Sequence, residues 1–399
     1  MMLPNGWKKV RLSELGTFSK GSGIKRDEAN SGSIPAVRYG EIYTAHNDYI
    51  KQFQSFISEN VAKEATLLKN GDLLFSCSGE TKEDIGKCVA FVSNERAYAG
   101  GDIIILSPTV PCDSKYIGFL CNSSFVNKQR YSFAQGDSIV HISSESIGKI
   151  EIPFPPLNEQ KKIAATLSVW DSAIEKMEKL IKAKESILSE YGRNLFGKIN
   201  QNARDNWDAV TLSSVLNEHG DKSTGEEEVY SVSVHKGLVN QIEHLGRSFA
   251  AKNTANYNRV HYGDIVYTKS PTGDFPLGIV KQSLVEDDVI VSPLYGVFTP
   301  KTFELGAILD FYFSSAINAN NYLHPIAQKG AKNTINITNK KFLSAKLCLP
   351  LNLKEQRKVA EFIQVTKKEM SVLQEILENY KKQKQGLMQK LLTGQWRVK

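Results

Sequence analysis

The 399-residue chain has no run of about 18 apolar residues, so nothing in it reads as a membrane-spanning helix. Its opening, MMLPNGWKKVRLSEL, lacks a long apolar stretch behind the basic residues and is read as no signal peptide. Cysteine is scarce. Cys77, Cys88, Cys112, Cys121 and Cys348 are odd in number, widely spaced and include no C-x-x-C pair. That usage argues against a disulfide framework and a zinc site, and points to a reduced, cytoplasmic setting. No large excess of either charge exists: Lys and Arg number 50 and Asp and Glu 43, leaving +7, which is compatible with a polyanionic partner without requiring one.

Signatures of chemistry are missing too. No H-E-x-x-H occurs among the seven histidines. A methyltransferase acting on a base amino group needs Asn/Asp-Pro-Pro-Tyr/Phe to hold the flipped base, and Phe154-Pro155-Pro156-Leu157 lacks both the polar first residue and the last aromatic. Gly192 to Lys198 fits the first part of a P-loop, but Ile199 stands where the Mg²⁺-binding hydroxyl belongs. It also closes a helical pattern, so Gly197 reads as a C-terminal cap. Asp264-x-x-x-x-Lys269 could be forced into a nuclease motif, but Asp264 is better explained as a turn residue. The expected catalytic, cofactor-binding and metal residues of this chain are none.

What is present is a sequence written twice. Trp7-x-x-Val10-x-Leu12-Ser13 recurs as Trp207-x-x-Val210-x-Leu212-Ser213. Gly71-Asp72-Leu73-Leu74-Phe75-Ser76 recurs as Gly263-Asp264-Ile265-Val266-Tyr267-Thr268, and Gly86 and Pro108 recur at the same offset as Gly278 and Pro300. His141-Ile142-Ser143 matches Asn336-Ile337-Thr338. Pro156-Leu157-Asn158-Glu159-Gln160 returns, two residues longer, as Pro350-Leu351-Asn352-Leu353-Lys354-Glu355-Gln356. Shared order and a nearly constant offset indicate tandem duplication.

Each half begins with short β-rich runs punctuated by turns, such as Ile103-Ile104-Ile105-Leu106 before Ser107-Pro108 and Val289-Ile290-Val291 before Ser292-Pro293. Each half ends in a long helix that starts after proline. Alternating steps of four and three from Ile163 give Leu167, Trp170, Ile174, Met177, Ile181, Lys184, Leu188, Tyr191 and Leu195. The same walk from Val359 gives Ile363, Thr366, Met370, Leu373, Leu377, Tyr380, Lys384, Leu387 and Leu391. A seam of this period is that of a left-handed coiled coil. Lys184 and Lys384 fall on it, as snorkelling side chains or, less simply, as register-setting ones. The expected fold is therefore α/β (α+β): two globular domains in tandem duplication, separated by two long helices that form an antiparallel intramolecular coiled coil, in a pseudo-two-fold arrangement. The plain alternative is that each helix packs on its own globular domain.

The lead-in Pro155-Pro156-Leu157-Asn158-Glu159-Gln160 resembles the signature that opens the conserved helices of Type I restriction–modification specificity subunits. The ending Leu387-Met388-Gln389-Lys390-Leu391-Leu392-Thr393-Gly394 resembles the close of their second such helix. The Gly-Asp strand with its glycine-bearing loop, and Gln135-Gly136-Asp137-Ser138-Ile139, are similar to segments of their target recognition domains. The resemblance covers essentially the whole chain, with a departure in the longer second lead-in, where a different first turn is expected. It implies a first target recognition domain at 1–155, a first spacer helix at 156–198, a second recognition domain at 199–350, and a second spacer helix with a C-terminal tail at 351–399. It implies a non-enzymatic, cytoplasmic subunit that reads a bipartite, asymmetric double-stranded DNA target, one half-site per domain. The implied partners are two modification (methyltransferase) subunits docked on the helices and restriction/translocase subunits. S-adenosylmethionine and ATP with Mg²⁺ are expected on those partners, none on this chain. The alternative from another class is a coiled-coil protein-interaction adaptor without sequence-specific DNA binding.

Candidate DNA contacts are polar or basic residues on loops whose sequence differs between the halves. In the first domain they are Lys20, Ser22, Lys25, Arg38, Tyr39, Ser78, Thr81, Lys82, Gln135 and Ser138; in the second, His235, Lys236, Lys269, Ser270, Lys332 and Asn333. The plain alternative for any one of them is a solvated loop residue. The Lys381-Lys382-Gln383-Lys384 run is read as solvated and favourable to the helix C-terminus, with contact to the DNA backbone as the lesser reading.

Overall fold

A Gly-Asp turn starts a buried strand in each half, and the same chemistry makes it both times. Gly71 and Gly263 have φ of 100° and 91°, which disfavours any residue with a Cβ. The aspartate then folds back on its own turn. Asp72 accepts from the Lys69 N–H at 2.8 Å and the Ser107 hydroxyl at 2.6 Å. Asp264 accepts from the His261 N–H and the Thr299 hydroxyl, each at 2.8 Å. Asp264 is thus the turn residue that its place in the repeat implies.

The computed structural model describes residues 3–79, 81, 84–133, 140–197, 207–245, 253–329 and 335–398. It divides into one unit of Met1–Glu178 with Ile376–Lys399 and another of Lys179–Glu375. Among the described residues no helix is long and apolar enough to cross a membrane.

In the first unit a four-stranded antiparallel sheet has the spatial order Gly16–Lys20, Ile103–Pro108, Leu73–Ser76, Cys88–Ala90. In the second, Leu216–Glu218, Gly296–Pro300, Ile265–Tyr267 and Val280–Gln282 repeat that order. Each unit also pairs its opening strand with the one before its long helix: Lys8–Arg11 with Glu151–Phe154, and Trp207–Thr211 with Lys346–Pro350. The repeated Ser143 and Thr338 are N-caps that accept from the Ser146 and Lys341 N–H groups at 3.1 and 3.3 Å. The halves differ beside this frame. The first has a second four-stranded sheet, Ser55–Ile57, Ile34–Val37, Tyr98–Ala99 and Thr66–Leu67, with its middle pair parallel. The second has the separate pairs Tyr230–Ser233 with Gly237–Asn240 and Asn258–Val260 with Val289–Val291.

The long helices run Leu157–Phe196 and Leu353–Leu392, 40 residues each, or about 60 Å at 1.5 Å per residue. The glutamine of each lead-in fastens its helix to its domain. Gln160 donates to the Pro155 carbonyl at 2.8 Å and accepts from the Asp113 N–H at 2.9 Å. Gln356 donates to the Pro350 carbonyl at 2.9 Å and accepts from the Thr302 hydroxyl at 2.7 Å. Asp113 and Thr302 in turn cap equivalent helices, Ser114–Cys121 and Phe303–Phe313. In both first turns the glutamine N–H closes on the carbonyl four residues back, Gln160 on Pro156 at 3.1 Å and Gln356 on Asn352 at 3.0 Å; they differ in that the Asn352 side chain also caps the Lys354 N–H at 2.8 Å. Gly197 lies just past the first helix, its N–H closing the last turn on the Arg193 carbonyl at 2.9 Å.

Every position of both heptad walks is buried or half-buried. The seam does two things, so helix pairing and helix-on-domain packing are both correct. Ile163 and Leu167 from the start of one helix and Leu391 from the end of the other belong to the first unit's apolar core, with Trp7, Phe75 and Phe119. Leu195, Val359 and Ile363 likewise belong to the second unit's core, with Tyr267, Phe298 and Phe342. Nearer the middle, helix meets helix antiparallel: in the first unit Trp170 lies edge-on to Tyr380 at 5.6 Å and Glu178 pairs with Lys381 at 3.1 Å. In the second, Tyr191 meets Phe362 at 4.2 Å between ring centres, and Lys184 pairs with Glu369 at 2.6 Å.

Lys384 corrects the reading of its run as solvated. Its ammonium is enclosed by Asp171 at 2.6 Å, Asp48 at 3.3 Å and the Phe119 ring at 5.3 Å. Burial alone would pull the ammonium's pKa down, but Asp48 and Asp171 hold it above its usual range, so Lys384 is a fixed charge. Lys381 is engaged as well, though near the surface. In the second unit Asp310 plays the converse part, between Lys367 at 2.6 Å and Lys281 at 3.6 Å. Burial pushes the Asp310 carboxyl up, and the two lysines more than offset this, leaving it below the usual carboxylate range.

Replacing Lys384 with Ala is expected to cost about 3–5 kcal/mol, because two acids stay enclosed without a counter-charge. Lys381→Ala is expected to cost less than about 1 kcal/mol; equal midpoints for the two in urea unfolding would contradict the assignment. A lowered folded-state pKa adds stability above the unfolded value of about 3.9, and that stability is lost as pH falls through the folded value. Wild-type stability should therefore decline below about pH 4 more steeply than that of Asp310→Asn, as read from unfolding midpoints across pH.

Candidate nucleic-acid interface

Three of the variable segments of the first unit converge because one turn holds them. The register sets Ile103 opposite Ser76 and Ile104 opposite Lys20, so the chain leaves the sheet at one end after Lys20 and after Ser76, and enters it there from Asp102. The turn Ala99–Asp102 then gathers the neighbours by backbone hydrogen bonds. Ser22 N–H donates to the Ala99 carbonyl at 3.4 Å, Gly101 N–H to Gly23 at 3.0 Å, Gly100 N–H to Val37 at 2.9 Å, and Cys77 N–H to Asp102 at 3.0 Å. A Cβ on Gly21 would collide with the Gly100 carbonyl oxygen, so glycine is required at that approach. Asp102 and Ile24 both have positive φ, 59° and 58°. For β-branched Ile24 that is a strained backbone, held in place because its side chain is buried with Ala36, Ile57 and Tyr98.

Lys20, Ser22 and Lys25 are exposed on this frame. The Ser22 hydroxyl donates to the Glu64 carbonyl at 2.7 Å, and the Lys25 N–H to Glu28 at 2.7 Å. Arg38 and Tyr39 follow Val37 at the start of the helix Tyr39–Thr44, and both are half-buried. The Tyr39 ring packs on the cluster of Val37, Ile42 and Phe91, which leaves it less free than a loop residue. Ser78 corrects its expected place on an open loop: it lies in the strand Ser78–Gly79, is 8% exposed, and faces His141 Nδ1 at 3.2 Å. Thr81 is exposed and donates to Asp84 at 2.7 Å. Lys82, Gln135 and Ser138 lie outside the described residues.

In the second unit Lys269 takes the position of Cys77 at the strand exit, with φ 59° and half-buried. Burial pulls its ammonium below the usual range, with Glu218 acting the other way. Gly278 is required opposite it, at φ 103° and with no room for a Cβ against the Lys269 backbone at 2.8 Å. Ser270 is exposed beside it. His235 and Lys236 are exposed at the tip of a different element, the hairpin Tyr230–Ser233/Gly237–Asn240. Lys332 and Asn333 lie outside the described residues.

The turn Ala99–Asp102 and the Trp7–Glu159–Arg397 cluster were not singled out from the sequence. The double glycine before Asp102 was the available signal for the first. For the second there was only the recurring tryptophan: Trp7 donates its indole N–H to Glu159 at 3.0 Å, and Arg397 binds the same carboxylate with two nitrogens at 2.6 and 2.8 Å. What the first unit's frame presents is exposed ammonium and hydroxyl groups on loops of fixed backbone, suited to phosphate and base-edge contacts.

Known proteins resemble this chain in sequence and in fold. The family described as "Type I restriction modification DNA specificity domain" matches residues 4–185. The EcoKI specificity subunit of Escherichia coli K12 is 24% identical over 297 residues, 67% of this chain and 62% of that protein. The chain thus spans a little under two thirds of that relative's length. The MjaVIII specificity subunit of Methanocaldococcus jannaschii is 23% identical over 432 aligned positions, covering all of this chain and 95% of the relative. A solved Type I restriction–modification S subunit from M. genitalium has the same fold, with TM-score 0.64, 16% identity and 98% of both chains covered.

If Lys20 and Lys25 meet phosphates, Lys20→Ala/Lys25→Ala should lower the slope of log affinity against log salt by about 0.9 per contact. Fluorescence anisotropy on duplex DNA measures that slope; an unchanged value would remove both lysines from the interface.

Proposed function

We propose that this chain, which belongs to the family of Type I restriction–modification specificity subunits, reads a split, asymmetric DNA target with one half-site per globular domain. The observation that carries this reading is a sheet of identical strand order in each unit whose strand exits differ, Cys77 in one and Lys269 in the other, each followed by a serine and then by a loop of different sequence. A retained frame with altered exits is what two readers of different half-sites require. In this reading the two long helices serve as the spacer that sets the gap between half-sites, since the half-sites read by paired modules are spaced by the protein.

The same helices dock two methyltransferase subunits. In support, Ile187, Phe362 and Val365 line one groove of the second unit outside the seam and are 54%, 39% and 51% exposed, a clustered apolar surface suited to a partner. Restriction/translocase subunits then join the assembly in the cytoplasm. S-adenosylmethionine binds the methyltransferase subunits and ATP with Mg²⁺ the translocases. This chain supplies sequence choice and does no chemistry itself.

Co-expression with a cognate modification subunit, followed by mapping of adenine methylation across the host genome, tests the reading. The expected result is methylation at one split motif that vanishes without this chain. A partner that assembles and methylates no split motif would refute DNA reading by the globular domains and favour a coiled-coil adaptor. Insertion of one helical turn around Leu180 should change the gap and leave both half-sites unchanged; altered bases with an unaltered gap would refute the spacer role.

A further inference from the structure

We propose that His219, Asp221 and His261, none of them among the candidate DNA contacts or on the long helices, bind one divalent transition-metal cation. His219 follows the strand Leu216–Glu218, and His261 follows Asn258–Val260. The fold brings them together with their rings 5.3 Å apart between centres. Asp221 Oδ2 lies 3.0 Å from His261 Nε2 and 3.6 Å from His219 Nδ1, and one ligand atom from each of the three residues falls within 4.8 Å of the others. Bonds of about 2.0–2.1 Å in a tetrahedral site set ligand atoms about 3.3 Å apart, so small side-chain rotations suffice to close around a cation.

The groups behind the ligands make the stronger case. His219 turns its other nitrogen, Nε2, to the buried Asp264 carboxylate at 2.9 Å. His261 turns Nδ1 to Asp288 at 2.8 Å. A carboxylate that receives the far N–H of a histidine fixes the tautomer and aims the other nitrogen's lone pair, which is the usual outer shell of a metal-binding histidine. Here two histidines have it, and their remaining nitrogens face the same aspartate, His261 Nε2 within hydrogen-bond distance of it and His219 Nδ1 beyond that distance. His219 Nδ1 is moreover buried without a hydrogen-bond partner. A purely ionic cluster, with a protonated His261 between Asp221 and Asp288, leaves that atom unsatisfied, whereas a cation satisfies it.

The duplication supplies an internal comparison. Asp72 holds the equivalent turn in the first unit through the same two hydrogen bonds, yet Ser19 and Lys69 stand where the second unit has His219 and His261. The histidines are therefore not needed to build the turn. Two imidazoles and one carboxylate suit Zn²⁺ and its neighbours in the first transition row, and leave at least one position for water. A bound cation would tie the chain after Glu218 to the turn His261–Asp264.

The test is Zn²⁺ binding by the full-length, untagged chain, measured by elemental analysis after gel filtration and by competition with a chromogenic chelator. The expected result is one equivalent of Zn²⁺ and a raised thermal midpoint on Zn²⁺ addition. His261→Ala and Asp221→Asn should each weaken binding at least 100-fold. Asp288→Asn keeps all three ligands, guards against a ligand variant that fails to fold, and should weaken binding about 10–100-fold. Wild-type chain that takes up no Zn²⁺, or variants that take it up like the wild type, would overturn the proposal.

Discussion

A helix of forty residues with one apolar stripe must cover that stripe along its whole length. Here the cover changes along the way. At each end the stripe enters the core of a globular domain, through Ile163 and Leu167 or through Leu195; nearer the middle it lies against the other helix, through Trp170 with Tyr380 and Tyr191 with Phe362. Helix and domain consequently share one hydrophobic core in each unit and cannot part without exposing it. The glutamine staples, Gln160 and Gln356, add direction: they fix where each helix starts relative to the cap of a helix in its own domain.

The polar welds around that seam are not copies of one another. In the first unit a lysine is held by two acids, in the second an acid by two lysines, and Glu159 is locked to Trp7 and Arg397. Such enclosed charges add little net stability over apolar packing, since desolvation offsets the attraction. What they do is punish alternatives. A helix shifted by one turn would strand Lys384 away from Asp48 and Asp171, or Asp310 from Lys367, so mismatched pairings of two similar helices are disfavoured.

Duplication has left a division between what is retained and what has drifted. The retained positions are those where local geometry admits few residues: the glycine at φ near 100°, the aspartate that staples its turn, the N-cap at Ser143 or Thr338, the glutamine of the lead-in. The drifted positions lie at the strand exits, outside those turns and caps, as where Lys269 at φ 59° stands in place of Cys77. Several of the proposed DNA contacts and the proposed cation site sit among the latter.

The sequence by itself determined the repeat, the four-strand frame's turns, the two long helices and their seam, because each rests on short-range rules: a period of 3.5, a cap, a left-handed glycine. The tertiary structure alone decided burial and company. Ser78 reads as a loop residue until its strand pairs with Val140–His141. Lys384 reads as a solvated lysine until Asp48, 336 residues away in sequence, arrives beside it. Cysteine spacing gives no hint of a metal, and His219 and His261 form no motif; only the neighbouring strands bring them to one aspartate. Contacts between residues distant in sequence depend on how strands pair and helices dock, and no local pattern encodes that.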